Sequence, residues 1–292
     1  MKYAKFTIFL SIFFSILIAF SVPAASQSGW KVVIPKSIEG SKVRMAAFLD
    51  KNFGVWGGAG DQGAPHYTLD GGKTWTKANT GGCMFSVDIV DAKTLWYSCI
   101  SGTSMSTDGG KSWKVIDDKI GGMASILAFA DDKTGWVGSG INFNITTDGG
   151  KTWNKMALPA SIGNVAAISL RTPMDGYLID EDITLHITQD GGKTWTSRSL
   201  GIDDADILGF GSGGWINETP QAAIRFLDKN NGLVVLGLSG KTNLIALRTA
   251  DGGKTWKEES IPAKPGKPFI SRDGKLLTVS KWGEGLTLLE CK

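Results

Sequence analysis

The octapeptide TTDGGKTW, residues 146–153, decides the fold because the chain repeats it. Its near-identical copies are TLDGGKTW at 68–75, STDGGKSW at 106–113, TQDGGKTW at 188–195 and TADGGKTW at 249–256. A catalytic centre brings different groups to one substrate, whereas a repeated string marks a repeated piece of backbone. We therefore interpret the octapeptide as one element of a repeat fold.

The chemistry of the octapeptide favours a tight turn between two strands. An Asp side chain accepts nearby backbone N–H groups, and glycine tolerates the positive φ that such a turn needs. The Thr or Ser before and after the Asp can add hydrogen bonds, and the Trp anchors the next strand. We expect buried, hydrogen-bonded carboxylates with a structural role. The residues concerned are Asp70, Trp75, Asp108, Trp113, Asp148, Trp153, Asp190, Trp195, Asp251 and Trp256.

The spacing of the repeats predicts the size of the unit. The five box aspartates lie 38, 40, 42 and 61 residues apart. A unit of about 40 residues has the length of a four-stranded propeller blade. A second repeated phrase of strand, polar turn and strand, such as AFADDKTGWVG at 128–138, fills the space between the boxes. The 61-residue gap is too short for two blades, so we assign it one blade plus an insertion at 201–222.

Segments near the two ends of the chain together supply the four strands of a sixth unit. Residues 268–292 supply only three strands of a sixth unit, and SGWKVVIP at 28–35 matches the segment that follows each box. If this N-terminal strand completes the last sheet, the ring closes without a free edge. The sequence thus predicts an all-β propeller over residues 27–292, with six blades, or seven if the insertion contains further strands.

The first 26 residues have the pattern of a secretory signal. Lys2 and Lys5 precede an apolar run that ends near Val22, and the small residues PAAS follow. An uncleaved membrane anchor is the alternative. We expect a periplasmic or extracellular protein. Removing these residues leaves 29 basic and 28 acidic side chains from the original 31 and 28, and this balance argues against a nucleic-acid partner.

The three cysteines suit an oxidising compartment. Cys83 and Cys99 flank a predicted hairpin and would face each other across two strands, where only some positions have disulfide geometry. The sequence leaves this pair either bonded or free. For Cys291, next to the C-terminus, the sequence leaves two alternatives open, a free thiol or a contact to a partner.

Two loops hold the residues most suited to binding a partner. One is GGAGDQGAPHY at 57–67, and the other is GFGSGGWINETPQ at 209–221, where Trp215 either stacks on a ligand or covers a blade edge. His66 and His186 are the two histidines and lie far apart in sequence, so we expect no metal site, no His-dependent triad and no cofactor. The partner-binding candidates are Asp61, His66, Trp215, Asn217 and Glu218.

The repeated (S/T)-x-D-G-G-K-(T/S)-W motif is the Asp-box, or bacterial neuraminidase repeat. Together with the F-x-D-x-x-x-G-W phrase, it makes the chain resemble the Ycf48-like family of photosystem II stability and assembly factors. That resemblance implies a non-enzymatic scaffold that binds a protein partner, in a membrane or envelope complex. It implies the thylakoid lumen if the host is photosynthetic. Membrane contact is expected only through the partner or an uncleaved signal segment.

Asp-box propellers also include sialidases and other glycosidases, so a secreted glycoside hydrolase or carbohydrate-binding protein is the alternative. A sialidase needs an arginine triad and a tyrosine nucleophile, for which the sequence offers few candidates. Other glycosidases need two facing carboxylates. The loop acids available are Asp61, Asp180, Glu181, Asp182 and Glu218, which we interpret mainly as solvated charges.

Overall fold

The computed structural model describes residues 29–38, 43–58, 63–122, 124–209 and 220–292. Within these ranges the chain forms six antiparallel sheets of four strands each. The predicted signal at residues 1–26 and the candidates Asp61, Trp215, Asn217 and Glu218 lie outside the described residues.

The strands are short, as expected for a chain punctuated by glycine turns. The first twelve are β1 (Trp30–Ser37), β2 (Val43–Phe48), β3 (Gly54–Gly58), β4 (His66–Thr68), β5 (Thr76–Lys77), β6 (Ser86–Ile89), β7 (Leu95–Cys99), β8 (Gly102–Ser106), β9 (Lys114–Asp117), β10 (Ile126–Phe129), β11 (Gly135–Ser139) and β12 (Asn142–Thr146). The others are β13 (Asn154–Lys155), β14 (Val165–Leu170), β15 (Gly176–Asp180), β16 (Thr184–Thr188), β17 (Thr196–Ser199), β18 (Ala222–Phe226), β19 (Gly232–Leu236), β20 (Ile245–Thr249), β21 (Lys257–Ser260), β22 (Lys267–Ile270), β23 (Leu276–Lys281) and β24 (Gly285–Cys291).

The six sheets are the blades of a closed β-propeller, which confirms the predicted fold. Blades 1 to 5 each use four consecutive strands, starting at β2, β6, β10, β14 and β18. Blade 6 contains β22, β23, β24 and then β1. Trp30 pairs with Cys291 and Lys31 with Glu290, so the N-terminal strand completes the last blade as expected. The first strand of each blade contacts the first strand of the next, all the way around the axis.

The strand order gives the ring two different faces. The turn after the first strand and the Asp-box turn after the third strand lie on one face, which we call the box face. The backbone N–H of Gly71, in a box, donates to Asn52 O in the neighbouring first turn, at 2.8 Å. The turns after the second strands and the connections between blades lie on the other face, which we call the linker face. The described ends of the loop at 57–67 and of the segment at 201–222 both lie on the linker face.

The repeated Phe and Gly of the interbox phrase pack against each other within a blade. A Cβ on Gly135 would lie 2.2 Å from the Phe129 ring, and a Cβ on Gly232 would lie 2.6 Å from the Phe226 ring. Any larger residue at either glycine would displace the ring. Between blades, Phe129 stacks on Trp96 with 3.9 Å between centroids, so one aromatic pair joins blade 2 to blade 3. This explains why the phrase recurs with its glycine.

The Asp-box is a self-contained turn. In blade 3 the Thr146 hydroxyl donates to Asp148 at 2.9 Å and accepts the Gly150 N–H at 2.8 Å. The N–H and hydroxyl of Thr152 both donate to Asp148, at 2.9 and 2.7 Å. Gly149 and Gly150 have φ of 76° and 78°, in the left-handed region that favours glycine.

One detail of the predicted box was wrong. The carboxylates are not buried: Asp108 is exposed, and Asp70 and Asp148 are half-exposed at the surface. Hydrogen bonds from Thr74 and Thr68 lower the pKa of Asp70 to about 2. Ordered donors therefore hold these carboxylates at a solvent-exposed turn, which requires no removal of charge from water.

Cys83 and Cys99 form a disulfide, with 5.6 Å between their Cα atoms. Cys99 ends β7, but Cys83 lies in the connection before β6 and not opposite Cys99 in a strand pair. The bond therefore ties a linker-face connection to blade 2. Cys291 is a free thiol, and Arg248 Nη2 lies 2.9 Å from its Sγ.

Candidate functional site: the axial channel

His66, one of the predicted binding residues, is engaged in packing. Its ring lies parallel to Trp56, with 4.2 Å between centroids, and its Nδ1 lies 2.8 Å from Ala64 O. Burial lowers the pKa of His66, partly opposed by the bond to Ala64. The structure thus places His66 at the base of the linker-face loop, as a support for that loop.

Two of the acids proposed for the glycosidase alternative, Asp180 and Glu181, are not free loop charges, contrary to our interpretation of the sequence. Asp180 is buried and accepts the N–H of Thr184 at 2.9 Å. Glu181 accepts the backbone N–H of Asn164 at 2.9 Å and the side-chain amide of Asn164 at 2.9 and 3.0 Å. Both carboxylates thus fasten the turn after β15, whereas Asp182 is exposed on that turn.

Blade 4 contains a relay that the sequence did not suggest. His186 is buried, with Nε2 2.8 Å from Asp180 Oδ2 and Nδ1 2.8 Å from the Ser197 hydroxyl. The sequence predicted no triad that includes His186, but the structure places Asp180, His186 and Ser197 in the geometry of one. The reason is the antiparallel register, which pairs His186 directly with Ser197. Ser197 lies on the outermost strand, far from the axis. We therefore interpret the relay as a structural link that holds β15, β16 and β17 together.

The first strands of the six blades enclose a channel along the axis, with a volume of about 480 Å³ including the space open to solvent. Small side chains form much of its wall, among them Ala128, Ala166, Ala167, Ala222 and Ala223. The polar lining residues come from three blades: Ser86 and Asp88 from blade 2, Arg225 from blade 5 and Lys267 from blade 6.

Near the box face an ion cluster bridges the channel. Arg225 Nη2 lies 3.4 Å from Asp88 Oδ1, which joins blade 5 to the opposite blade 2. Arg272, in the first turn of blade 6, lies 3.3 Å from Asp88 Oδ2 and donates to Phe129 O at 2.5 Å. Asp88 also accepts the backbone N–H of Phe129 at 2.9 Å. One carboxylate therefore has two guanidinium partners.

Near the linker face, Lys267 lines the channel and a second cation, Arg44, lies close to it. Lys267 starts β22, is only 8% exposed, and its Nζ donates to Phe85 O at 3.1 Å. The guanidinium carbon of Arg44 lies 4.4 Å from the centroid of the Phe85 ring and 5.3 Å from that of Trp282. No salt bridge to Lys267 or Arg44 occurs among the described residues.

Burial lowers the pKa of both cations near the linker face. Burial, with a smaller contribution from the charge of Arg44, lowers the pKa of Lys267 to about 7. Burial also lowers the pKa of Arg44. The charged groups that line the channel or lie beside it therefore comprise four basic side chains and one acid: Lys267, Arg44, Arg225, Arg272 and Asp88.

The sequence analysis missed this site. It considered arginines only as candidates for a sialidase triad and did not consider Lys267. The available signal was a single basic residue in an otherwise apolar first strand, as in AAIRF at 222–226 and KPFI at 267–270. A strand at the axis faces the channel with such residues, but only the closed ring shows which of them meet.

Residues 66–77 and 145–155 match the family model described as BNR/Asp-box repeat, which agrees with the boxes seen in the structure. The chain is thus an Asp-box β-propeller. No curated protein sequence matches it closely enough to count as a relative. Among the described residues, no group of three or more His, Cys, Asp and Glu side chains could hold a metal ion.

Solved structures share the fold over nearly the whole chain. One is "YCF48 bound to D1 peptide", with a TM-score of 0.54, 17% identity and coverage of 92% of this chain and 97% of that one. YCF48 from Cyanidioschyzon merolae has a TM-score of 0.53, 17% identity and coverage of 89% and 98%. An ancestral GH74 enzyme has a TM-score of 0.54 and 15% identity, and the match covers 90% of this chain but 38% of the enzyme. The resemblance to Ycf48-like propellers expected from the motifs is confirmed at the level of the fold.

In the part of the chain that the structure describes, no helix is long and apolar enough to cross a membrane.

Proposed function

We propose that this chain is an exported, non-enzymatic propeller that binds a protein partner through its linker face and acts as a scaffold or assembly factor for a membrane or envelope complex. The observation that carries the proposal is the axial channel, where Arg225 and Arg272 share Asp88 while Lys267 and Arg44, nearer the linker face, have no acidic partner among the described residues. A rigid ring that presents loops from every blade suits partner binding. The likeness in fold to YCF48 bound to a peptide supports the same class of function.

The chemistry of the channel argues against a glycosidase site at the axis. Asp88 is the one carboxylate among the residues that line the channel, and two arginines hold it as an ion pair. Glycoside hydrolysis uses two carboxyl groups, one of which must carry a proton to the leaving group. The single carboxylate of Asp88, engaged by two arginines, does not supply that pair of carboxyl groups.

Export is part of the proposal and rests on the N-terminal sequence together with the disulfide. A signal-like segment fills residues 1–26, and Cys83 and Cys99 are bonded. Disulfides form and persist mainly outside the reducing cytosol. We therefore propose a periplasmic or extracellular location, or the thylakoid lumen in a photosynthetic host. Fractionation of the native host, with mass spectrometry of the mature N-terminus, tests it.

Two exposed apolar residues allow the linker face to be tested. Ile100 and Ile141 lie at the tips of the turns after the second strands of blades 2 and 3, and are 64% and 56% exposed. Leu69 is 65% exposed but lies in a box turn on the opposite face, so it provides a matched control.

The experiment is capture of tagged protein from its own envelope fraction, followed by mass spectrometry. We expect a membrane-protein partner that is retained with Leu69→Asp and lost with Ile100→Asp combined with Ile141→Asp. Equal capture by both variants would refute binding through the linker face. In parallel, hydrolysis of fluorogenic glycosides without any retained partner would support the alternative, a secreted glycosidase, to which the GH74 fold likeness is relevant.

A further inference from the structure

The two cations near the linker face form an unbalanced pair. Lys267 is buried, and the single hydrogen bond of its ammonium group goes to a neutral carbonyl, Phe85 O. The Nε of Arg44 is buried and has no hydrogen-bond partner. A buried charge normally has an opposite charge or several hydrogen bonds, because its removal from water is costly. Among the described residues, Lys267 meets neither requirement, and the half-buried Arg44 also has no opposite charge beside it.

The pair is nevertheless built to stay in place. The carbonyl of Phe85 accepts from Lys267 while the ring of Phe85 lies against the guanidinium of Arg44. Trp282 contacts Arg44 with its own ring. The Ser280 hydroxyl lies 3.3 Å from both Arg44 O and Lys267 O, and so links the two backbones. Neighbouring groups therefore hold two like charges near each other.

We propose that Lys267 and Arg44 bind a carboxylate carried by a protein segment that enters the axial channel from the linker face. The inference rests on the proposed function, since it names the chemistry by which the partner is recognised. A carboxylate supplies the missing negative charge, accepts the unused N–H groups of both side chains, and fits the planar fork of a guanidinium.

The walls of the channel favour a carboxylate on a short apolar stem. Next to Lys267 the lining includes Met45 and Phe269, and further along it includes Ala166, Ala222 and Ala223. These side chains offer apolar contact and little hydrogen bonding. A phosphate would place its remaining oxygens against these apolar walls, where they find few hydrogen-bond donors. The linker end of the channel thus fits an Asp or Glu side chain or a C-terminal carboxylate.

The test uses three peptide probes and titration calorimetry on the mature chain. The first is N-acetyl-Ala-Ala-Ala with a free carboxylate, the second is its C-terminal amide, and the third is N-acetyl-Ala-Asp-Ala amide. We expect binding of the first or third probe and none of the second. Binding of the first alone assigns a C-terminal carboxylate, and binding of the third assigns a side chain. Inorganic phosphate serves as a further probe.

Variants show whether the pair is responsible. Lys267→Met and Arg44→Met each keep an apolar stem, and we expect each to weaken binding by about tenfold or more, since a charge-assisted contact is lost. Lys281→Met is the control, because Lys281 lies beside Trp282 at the same end but is exposed and paired with Glu284. We expect it to bind the probes as the wild type does.

The inference and the proposed function can fail separately. Equal binding of the acid and its amide, binding of phosphate alone, or unchanged binding by Lys267→Met would overturn the carboxylate site. If partner capture in the presence of excess carboxylate probe falls for the wild type, the site contributes to partner recognition. A wild type that captures a partner yet binds no carboxylate probe would overturn this inference and leave the scaffold proposal standing.

Discussion

At the scale of single residues, the Asp-box turns derive their order from hydroxyl groups as much as from the aspartate. In blade 2, Ser106 donates to Asp108 at 2.8 Å and accepts the N–H of Gly110 at 2.9 Å. Ser112 donates to Asp108 through both its N–H and its hydroxyl. Burial raises the pKa of Asp108, but the hydrogen bonds from Ser112 and Ser106 outweigh it, so the net change is downward.

This balance predicts the effect of Asp108→Ala. The variant leaves donors of the turn unpaired, so we expect the melting temperature at pH 7 to fall by a few degrees, as for the loss of one or two hydrogen bonds. Because the folded-state pKa is depressed, the stabilisation is present above about pH 4 and is lost as the pH falls through the folded value. The variant and the wild type should therefore converge as the pH falls below the folded-state value.

Thermal unfolding followed by circular dichroism between pH 2 and 7 checks this. Asp118→Ala is the control, since Asp118 is an exposed carboxylate in the same blade and lies outside the box. An equal loss in the two variants would show that the box carboxylate has no special role.

Lys267 gives the opposite prediction. Its folded-state pKa, about 7, lies below the ordinary lysine value of 10.5, so keeping the amine protonated costs free energy. The cost is absent above pH 10.5, grows as the pH falls, and is complete below pH 7, where it amounts to roughly 5 kcal/mol. We expect Lys267→Met to be more stable than the wild type at pH 6, with a smaller difference at pH 10. Urea unfolding at both pH values measures it, and a destabilised variant at pH 6 would contradict it.

At the scale of single elements, the disulfide stabilises a connection that has few strand contacts of its own. Cys83 and Cys99 are 16 residues apart. Closing a loop of this length stabilises the folded chain by about 3 kcal/mol in the chain-entropy description. We expect the double variant Cys83→Ala, Cys99→Ala to unfold at a lower temperature, and reduction of the wild type to have the same effect.

The third cysteine supplies the control for that prediction. Cys291→Ala leaves the bonded pair intact, so its melting temperature should stay close to that of the wild type, and reduction should still lower it. Calorimetry with and without reductant measures the melting temperatures of the wild type and of both variants. If reduction changes nothing in the wild type, the bond contributes no stability.

The blades could be predicted from the sequence because their determinants are local. The Asp-Gly-Gly string fixes a turn, and the Phe and Gly of the interbox phrase fix how two strands pack. The relay of Asp180, His186 and Ser197 could not be predicted, since it depends on the register of two strand pairs. The cations at the axis depend on closure of the whole ring, which brings Arg225 and Asp88 together from opposite blades.

At the scale of the whole molecule, the ring depends on a contact between the two ends of the chain. Without β1, the strand β24 would present an unpaired edge, and such edges invite pairing between molecules. Trp30, only 3% exposed, would also be lost from the core beside Leu289. Closure therefore protects the molecule from aggregation as well as stabilising blade 6.

Truncation tests this closure. A chain that starts at residue 29 keeps β1 and should be monomeric and fully stable, whereas a chain that starts at residue 38 should melt earlier and self-associate. A synthetic peptide of residues 28–37 should restore the monomer, because it can pair with β24 in the register that joins Trp30 to Cys291. Light scattering and thermal unfolding follow both properties. If the shorter chain remains monomeric with an unchanged melting temperature, blade 6 is stable with three strands and β1 is not what closes the ring.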